Sequence, residues 1–253
     1  MAAFLYYSRL SPSSWSATST KSGYSASNAG STGIARPWAS NATSTQQLIG
    51  DLGSTQTVRG ICIQSCPVST IDVRADNSAT PTTSRGSITP AQARHGIYRG
   101  SLGVNISARY LSAYFASPTL LGAGAGVYSK EPAAYEVGAV HAFGAVLTLE
   151  SEPLLESEIQ HNYPQTTEQL PNGQTLVVSR GAPYAELSLR FRPTAGQDIE
   201  QIARIARAGI CWLDLGVTAR PELQWPVRMV EDTHARSFQG GADVVTLRFR
   251  EVS

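Results

Sequence analysis

Two short runs in the C-terminal part of the sequence alternate strictly between apolar and polar residues, and each contains the phrase Leu-Arg-Phe-Arg. The first run covers residues 185–192 and the second covers residues 245–250. A period of two residues with one apolar side is the pattern of an antiparallel strand that has one face in a core. The two runs therefore predict strands of a half-buried sheet.

Between these runs lies the one segment with convincing helical periodicity, residues 198–208. Asp198 followed by Gln201 resembles a helix start, and Gly209 fits a helix stop. The apolar positions form one stripe: Ile199, Ile202, Ala203, Ile205 and Ala206. We therefore expect residues 145–253 to form an α+β module in which an antiparallel sheet is packed by one helix.

The stretch before residue 145 contains short alternating segments punctuated by turn residues. Residues 70–75 and 104–116 alternate most clearly, and 53–55 have the composition of a turn between two strands. Residues 84–100 carry no such pattern and are expected to form a loop. The sequence thus predicts a mainly β protein with a β-sandwich over residues 1–144.

Composition excludes several classes of protein. The chain has 253 residues, a formal net charge of +1 and only 15% charged residues, so bulk charge points to neither nucleic acid nor membrane. No apolar run approaches the ~20 residues of a membrane span, and the first seven residues do not resemble a signal peptide. Three cysteines, at 62, 66 and 211, form no disulfide framework, and we expect no metal site.

No catalytic constellation is recognisable. The four histidines, at 95, 141, 161 and 234, are scattered, and His141 is expected to be a core or interface residue. The glycine-rich stretch 122–126 lacks the features of a phosphate-binding loop, and the acidic stretch 150–158 lacks the partners that sugar hydrolysis needs. We therefore expect a protein that is not an enzyme and has no cofactor.

The alternating runs place arginines on the predicted outer face of the sheet. We hypothesise that they pair with acidic residues of a neighbouring subunit, and the alternative of a plain solvated face stays open. The residues of this predicted interface are Arg190, Arg192, Arg248, Arg250, Glu152 and Glu156.

The N-terminal stretches also resemble a known family. Residues 38–41 (Trp-Ala-Ser-Asn), 48–53 (ending Asp-Leu-Gly), 58–61 and 69–75 precede an Ala-Arg-Tyr-Leu strand at 108–111 and a strand at 135–140. In this order they resemble the galactose-binding-like jelly rolls of the discoidin type. Such domains bind sugars at loops on one end of the sandwich, so an aromatic platform of Trp15, Trp38, Tyr24 and Tyr98 is a candidate glycan site.

A jelly roll followed by a sheet-plus-helix module resembles the distal tail proteins of long-tailed phages. The resemblance implies a structural virion protein of the tail tip, assembled in the host cytoplasm as a ring of identical subunits, for which a hexamer is expected. Its partners would be the tail tube protein above, tail hub or fibre proteins below, and the tape-measure protein and DNA passing through the lumen. The alternative function is a carbohydrate-binding β-sandwich adhesin or accessory module.

Overall fold

The structure is a computed structural model, and the part of the chain that it describes is interrupted by gaps. The described residues are 3–32, 36–92, 97–121, 134–149, 157–162, 165–169, 175–179, 184–191, 204, 209–217, 220–230, 235–239 and 242–252. Within them, no helix has the length and apolarity that crossing a membrane requires.

The described residues are almost entirely β, with one short 3-10 helix at Ala26–Gly30. The strands in chain order are β1 (Ala3–Leu10), β2 (Ser14–Ala17), β3 (Trp38–Ala39), β4 (Gln46–Gln64), β5 (Ile71–Asp76), β6 (Ser84–Ile88), β7 (Ala91–Gln92), β8 (Tyr98–Phe115), β9 (Glu136–Val137), β10 (Ala139–Leu149), β11 (Glu158–Asn162), β12 (Gln165–Gln169), β13 (Thr175–Ser179), β14 (Tyr184–Phe191), β15 (Cys211–Asp214), β16 (Gln224–Met229), β17 (Ala235–Gln239) and β18 (Ala242–Glu251).

One antiparallel sheet runs through most of these strands, and β1 lies in its middle. The order along the sheet is β11-β14-β18-β16-β15-β1-β10-β4-β8-β5-β6. One edge of β1 pairs with β10, from Ala3 opposite Leu149, and its other edge pairs with β15, from Phe4 opposite Asp214. The first strand of the chain therefore joins the N-terminal and C-terminal regions.

Two very long strands organise the N-terminal sandwich, β4 with 19 residues and β8 with 18. β4 and β8 pair along most of their length, with a register shift between Asp51 and Gln56. Gly53 lies in this bulge at φ 80°, a backbone conformation that glycine adopts without strain. The sequence predicts two strands with a turn here, whereas the structure has one strand, and side chains from both of its halves, including Leu48 and Ile61, lie in the same core.

The C-terminal sheet buries one face, as the alternating runs predict. Ala185, Leu187 and Leu189 on β14 are at most 1% exposed, and Leu247 and Phe249 on β18 are 2% exposed. The two strands pair directly, with Leu187 opposite Phe249. The predictions of a mainly β fold, a sandwich and a half-buried C-terminal sheet are therefore confirmed.

Three further expectations are either wrong or not tested by the described residues. The loop expected over 84–100 is wrong, because β6, β7 and the start of β8 lie there. The helix expected over 198–208 lies outside the described residues, apart from Arg204, so it stays a prediction. The expected division at residues 144 and 145 lies within β10, and that division also stays a prediction.

Candidate functional site

Polar side chains meet at one end of the sandwich, where the segment after β2 lies beside the turn before β4. Asn41 is exposed, Ser19, Lys21 and Tyr24 are half-buried, and Gln46 opens β4 with its side chain turned into this group. We call these five residues the loop-end cluster. Two short connecting segments and the first residue of β4 thus supply the polar groups of the candidate site.

Hydrogen bonds hold the loop-end cluster in one arrangement. The Ser19 hydroxyl donates to Oε1 of Gln46 over 2.6 Å and accepts from the backbone N–H of Asn41 over 3.1 Å. The amide of Gln46 donates in turn to the Ser44 hydroxyl over 3.3 Å. The backbone N–H of Lys21 donates to the carbonyl of residue 39 over 2.9 Å. These bonds orient donors and acceptors before any ligand arrives.

Tyr24 supplies the aromatic ring of the loop-end cluster. The Lys21 ammonium nitrogen lies 5.8 Å from the centre of the Tyr24 ring, within the range of a cation–π contact. The backbone carbonyl of Tyr24 accepts a hydrogen bond from the N–H of residue 39 over 3.4 Å, which ties the Tyr24 segment to β3. The cluster therefore combines an amide, a hydroxyl, an ammonium group and an aromatic face.

The predicted aromatic platform is not formed as expected. Trp38 is 0% exposed and Tyr98 is 9% exposed, so neither offers a face to a ligand. Trp15 is half-buried against the sandwich core, and its ring lies so close to Gly30 that a Cβ there would overlap it. Only Tyr24 among the four belongs to the loop-end cluster.

The buried Trp38 side chain stabilises the backbone of the loop-end cluster. Its indole N–H donates to the carbonyl of Ser19 over 3.2 Å, and its ring centre lies 5.9 Å from that of Phe115. Phe115 stacks in turn on Tyr135 at 5.0 Å. This buried aromatic column fixes the backbone that carries Ser19, because a buried indole N–H keeps a hydrogen-bond partner.

A second polar group lies about 17 Å further along β4, five residues from Gln46. There the guanidinium of Arg109 donates to both carboxylate oxygens of Asp51 over 2.9 Å, and Asn77 accepts from the backbone N–H of Arg109. The hydrogen bond from Arg109 holds the pKa of Asp51 below its usual range. Because these groups satisfy one another across the β4 bulge, we assign them a structural role.

The predicted arginine interface is only partly described. Arg248 and Arg250 are exposed on β18 and Arg190 is half-buried on β14, all on the outer face of the C-terminal sheet. Arg250 donates to Oε1 of Glu186 over 2.6 Å, within its own chain. Arg192, Glu152 and Glu156 lie outside the described residues, so the expected pairing with them stays a prediction.

A shallow groove of about 270 Å³ crosses the same outer face. Both acidic and basic side chains contribute to it, and Val230 beside them is 43% exposed. Its charged and polar lining comprises Glu158, Gln160, Glu186, Ser188 and Arg248.

The residues suited to acid–base or thiol chemistry are buried. His141 is 0% exposed, as expected of a core histidine, and burial lowers its pKa to about 3. Burial raises the pKa of the thiols of Cys62 and Cys66, and raises that of Cys211 to about 12. Within the described part of the chain, no group of three or more histidine, cysteine or acidic residues could hold a metal ion.

Sequence reasoning missed four of the five members of the loop-end cluster. Ser19, Lys21, Asn41 and Gln46 lie in a stretch rich in serine and threonine, where residue type alone marks nothing. The available signal was the aromatic spacing around Tyr24 and Trp38, which indicated an ordered segment.

No protein-family model matches this chain, and no curated protein matches it. Among solved structures, it is similar to chitosan-binding module 2 of a Paenibacillus sp. IK-5 chitosanase/glucanase, in complex with chitotriose. The identity is 18%, the match covers 53% of this chain and 98% of that one, and the TM-score is 0.42.

The family 32 CBM of NanJ from C. perfringens, in complex with galactose, has 18% identity over 55% of this chain and 98% of that one, with a TM-score of 0.40. CBM32-3 from a Clostridium perfringens family 31 glycoside hydrolase has 14% identity over 54% and 95%, with a TM-score of 0.43. At these identities and TM-scores the likeness does not say what this chain binds. None of these three is a phage tail protein, so that expectation stays a proposal.

Proposed function

We propose that this chain is a non-catalytic carbohydrate-binding β-sandwich protein that takes an uncharged saccharide at the loop-end cluster. The observation that carries the proposal is the hydrogen-bonded line from Asn41 through Ser19 to Gln46, beside the Tyr24 ring. A site with fixed polar groups and one aromatic face suits a ligand with hydroxyls on its rim and an apolar ring face.

The chemistry of the cluster supports this ligand class. A sugar hydroxyl both donates and accepts, and the amide of Asn41 can do the same in return. The ammonium group of Lys21 supplies donors only, and Tyr24 offers its ring to the C–H face of a sugar. The hydrogen bonds already present reduce the ordering cost of binding, because the serine and glutamine side chains are held before the ligand arrives.

A glycan array followed by calorimetry on the strongest ligand tests this function. Asn41→Ala and Tyr24→Ala should each weaken binding about tenfold, which corresponds to the loss of one hydrogen bond or one stacking contact. Thr55→Ala, at the other end of the sandwich, is the matched control and should leave the affinity unchanged. Absence of any glycan ligand, or equal losses in all three variants, would contradict the proposal.

The second candidate is the structural virion protein of a phage tail tip, acting as a ring between tail tube and receptor-binding proteins. Its support is the C-terminal sheet, in which β11 is a terminal strand of the described sheet and the outer face carries Arg228, Arg248 and Arg250. An end strand and an arginine-rich face both suit contact with further copies of the chain.

Mass photometry and negative-stain images distinguish this candidate from the first. A ring should appear at a defined multiple of the subunit mass, and Arg190→Glu combined with Arg248→Glu should reduce it. Arg36→Glu combined with Arg85→Glu, both exposed on the N-terminal region, makes the same change in net charge and is the control. A monomer at every concentration, with an intact glycan affinity, would favour the first candidate over the second.

A further inference from the structure

A buried histidine lies where the sandwich meets the C-terminal sheet. His141 on β10 is 0% exposed, and within the described part of the chain neither of its ring nitrogens has a hydrogen-bond partner. Its ring centre is 5.9 Å from that of Trp212 on β15 and 6.3 Å from that of Phe143. Buried polar groups normally have a hydrogen-bond partner, so the unpaired ring nitrogens of His141 need a physical explanation.

The β-pairing at this junction is short. β1 and β15 pair through three residue pairs only, from Phe4 opposite Asp214 to Tyr6 opposite Trp212. By comparison, β1 and β10 pair through seven. The C-terminal sheet therefore continues from the sandwich through a short ladder, and side-chain contacts supply the remaining attachment.

Part of this attachment is apolar, because Ala3 and Leu5 of β1 lie in the core of the C-terminal sheet. The other part is polar and comes mainly from β8. The Ser101 hydroxyl donates to Oδ2 of Asp214 over 2.7 Å, and Arg99 donates to the carbonyl of Gln224 over 3.1 Å. Arg99 also pairs with Glu251 in a buried ion pair. The indole N–H of Trp212 donates to Oε1 of Gln224 over 3.3 Å, which places the Trp212 ring against His141.

We propose that this junction is an acid-sensitive latch, in which protonation of His141 releases β15 and the C-terminal sheet from β1 while the sandwich core stays folded. An imidazolium at this position would be a charge removed from water with no acceptor for either N–H. The faces of Trp212 and Phe143 attract a cation more weakly than water does, so they do not compensate.

The direction of the pH effect follows from burial. Burial first, and then the positive charge of Arg9, lower the pKa of His141 from 6.5 to about 3. An opened junction takes up the proton near the ordinary value, whereas the closed junction does not. The stability of the closed junction is therefore complete above pH 6.5 and falls as the pH decreases from 6.5 towards about 3.

Several other titratable or charged groups face this junction, and the test must separate them from His141. Asp214 and Glu251 take part in the same contacts, so a variant at His141 alone isolates its contribution. The groups on the packed elements are Tyr6 and Arg9 on β1, Cys62 on β4, Arg99 on β8, Asp214 on β15 and Glu251 on β18.

Amide hydrogen exchange read by mass spectrometry, near neutrality and at about pH 4.5, tests the latch in the full chain. After correction for intrinsic rates, acidification should raise the opening equilibrium of β15 about a hundredfold, because two pH units separate this condition from the ordinary histidine pKa. The strand β5, in the sandwich, should keep its protection. Equal loss in β5 and β15, or no loss in β15, would overturn the proposal.

Substitutions assign the effect to one residue. His141→Phe fills the aromatic site without a titratable group and should abolish the acid-induced opening of β15. If that variant does not fold, His141→Gln gives the same comparison with a neutral polar side chain. His161→Gln, on β11, is the matched control and should behave as the wild type. Opening of β15 in His141→Phe to the wild-type extent would overturn the proposal.

Discussion

The sandwich builds its core from its own stretch of chain, whereas the C-terminal sheet builds its core partly from residues of β1 and β10. Among the described residues, the buried side chains of the sandwich core lie between Ala26 and Ala142, and Leu10 at the end of β1 packs against them. The C-terminal core contains Ala3, Leu5 and Leu149 beside buried residues of β14, β15, β16 and β18. We infer that the sandwich depends less on its neighbour for folding than the C-terminal sheet does.

The ion pair that joins the two regions also differs from the one on the outer face of the C-terminal sheet. Arg99 and Glu251 pair at the junction with side-chain exposures of 3% and 6%, and 152 residues separate them in sequence. Arg250 and Glu186 pair on the outer face of the C-terminal sheet with exposures of 51% and 34%. The charges of Arg99 and Glu251 are shielded from water, so each needs the other for stabilisation. The charges of Arg250 and Glu186 remain solvated.

The largest effect is expected at the buried pair. Arg99→Met should destabilise the protein by about 3–5 kcal/mol, because Glu251 would keep a buried charge without a cation. Urea unfolding measures the loss. Arg99→Met combined with Glu251→Gln should lose less, since the amide oxygen can still accept from the backbone N–H of Ala185, as Oε2 does over 2.8 Å. A single variant as stable as the wild type would contradict the contrast between the two pairs.

A somewhat smaller effect is expected from cavities, and their location tests the shared strand. Leu5→Ala and Leu48→Ala each remove a core side chain that is at most 1% exposed, which costs about 2–5 kcal/mol. Hydrogen exchange should show that Leu5→Ala weakens β18 more than β5, although Leu5 lies near the start of the chain. Leu48→Ala should have the opposite pattern, and identical patterns would remove the distinction between the regions.

A close approach at the junction gives a third test. The Tyr6 ring lies over Gly60, where an added Cβ would overlap the ring atoms. Gly60→Ala should therefore cost about 1–3 kcal/mol through overpacking. Gly209→Ala is the matched control, because nothing lies within 4 Å of a Cβ there. Tyr6→Leu in the Gly60→Ala background should recover part of the loss, and no recovery would mean that the strain lies elsewhere.

The sequence predicts those parts of the fold in which local pattern and tertiary position agree. β5, β14 and β18 alternate in sequence and bury one face, so period two was sufficient. The turn composition of Gly53, Ser54 and Thr55 predicts two separate strands, whereas these residues form a bulge within β4. β6 reads Ser-Arg-Gly-Ser-Ile, with no apolar side, so only its pairing with β5 makes it a strand.

The sites were harder to predict than the strands, for a physical reason. The burial of Trp38 follows from its column with Phe115, which lies 77 positions further along the chain and carries no local signal. The ion pair of Arg99 and Glu251 could not be predicted from the sequence either, because no periodicity links positions that are 152 residues apart. The sequence therefore predicts all four aromatic residues as ligand-binding, although Trp38 and Tyr98 are buried and Trp15 packs against the sandwich core.

The smallest effect is expected at the exposed pair, and it completes the contrast. Arg250→Ala removes the ion pair with Glu186 and a cation–π contact with Tyr184 at 5.2 Å. Both groups remain hydrated in the variant, so the loss should be less than about 1 kcal/mol and should shrink in high salt. Urea unfolding at low and high salt measures it. A loss equal to that of Arg99→Met would mean that the outer face is covered in solution, and that Arg250 belongs to an interface between chains.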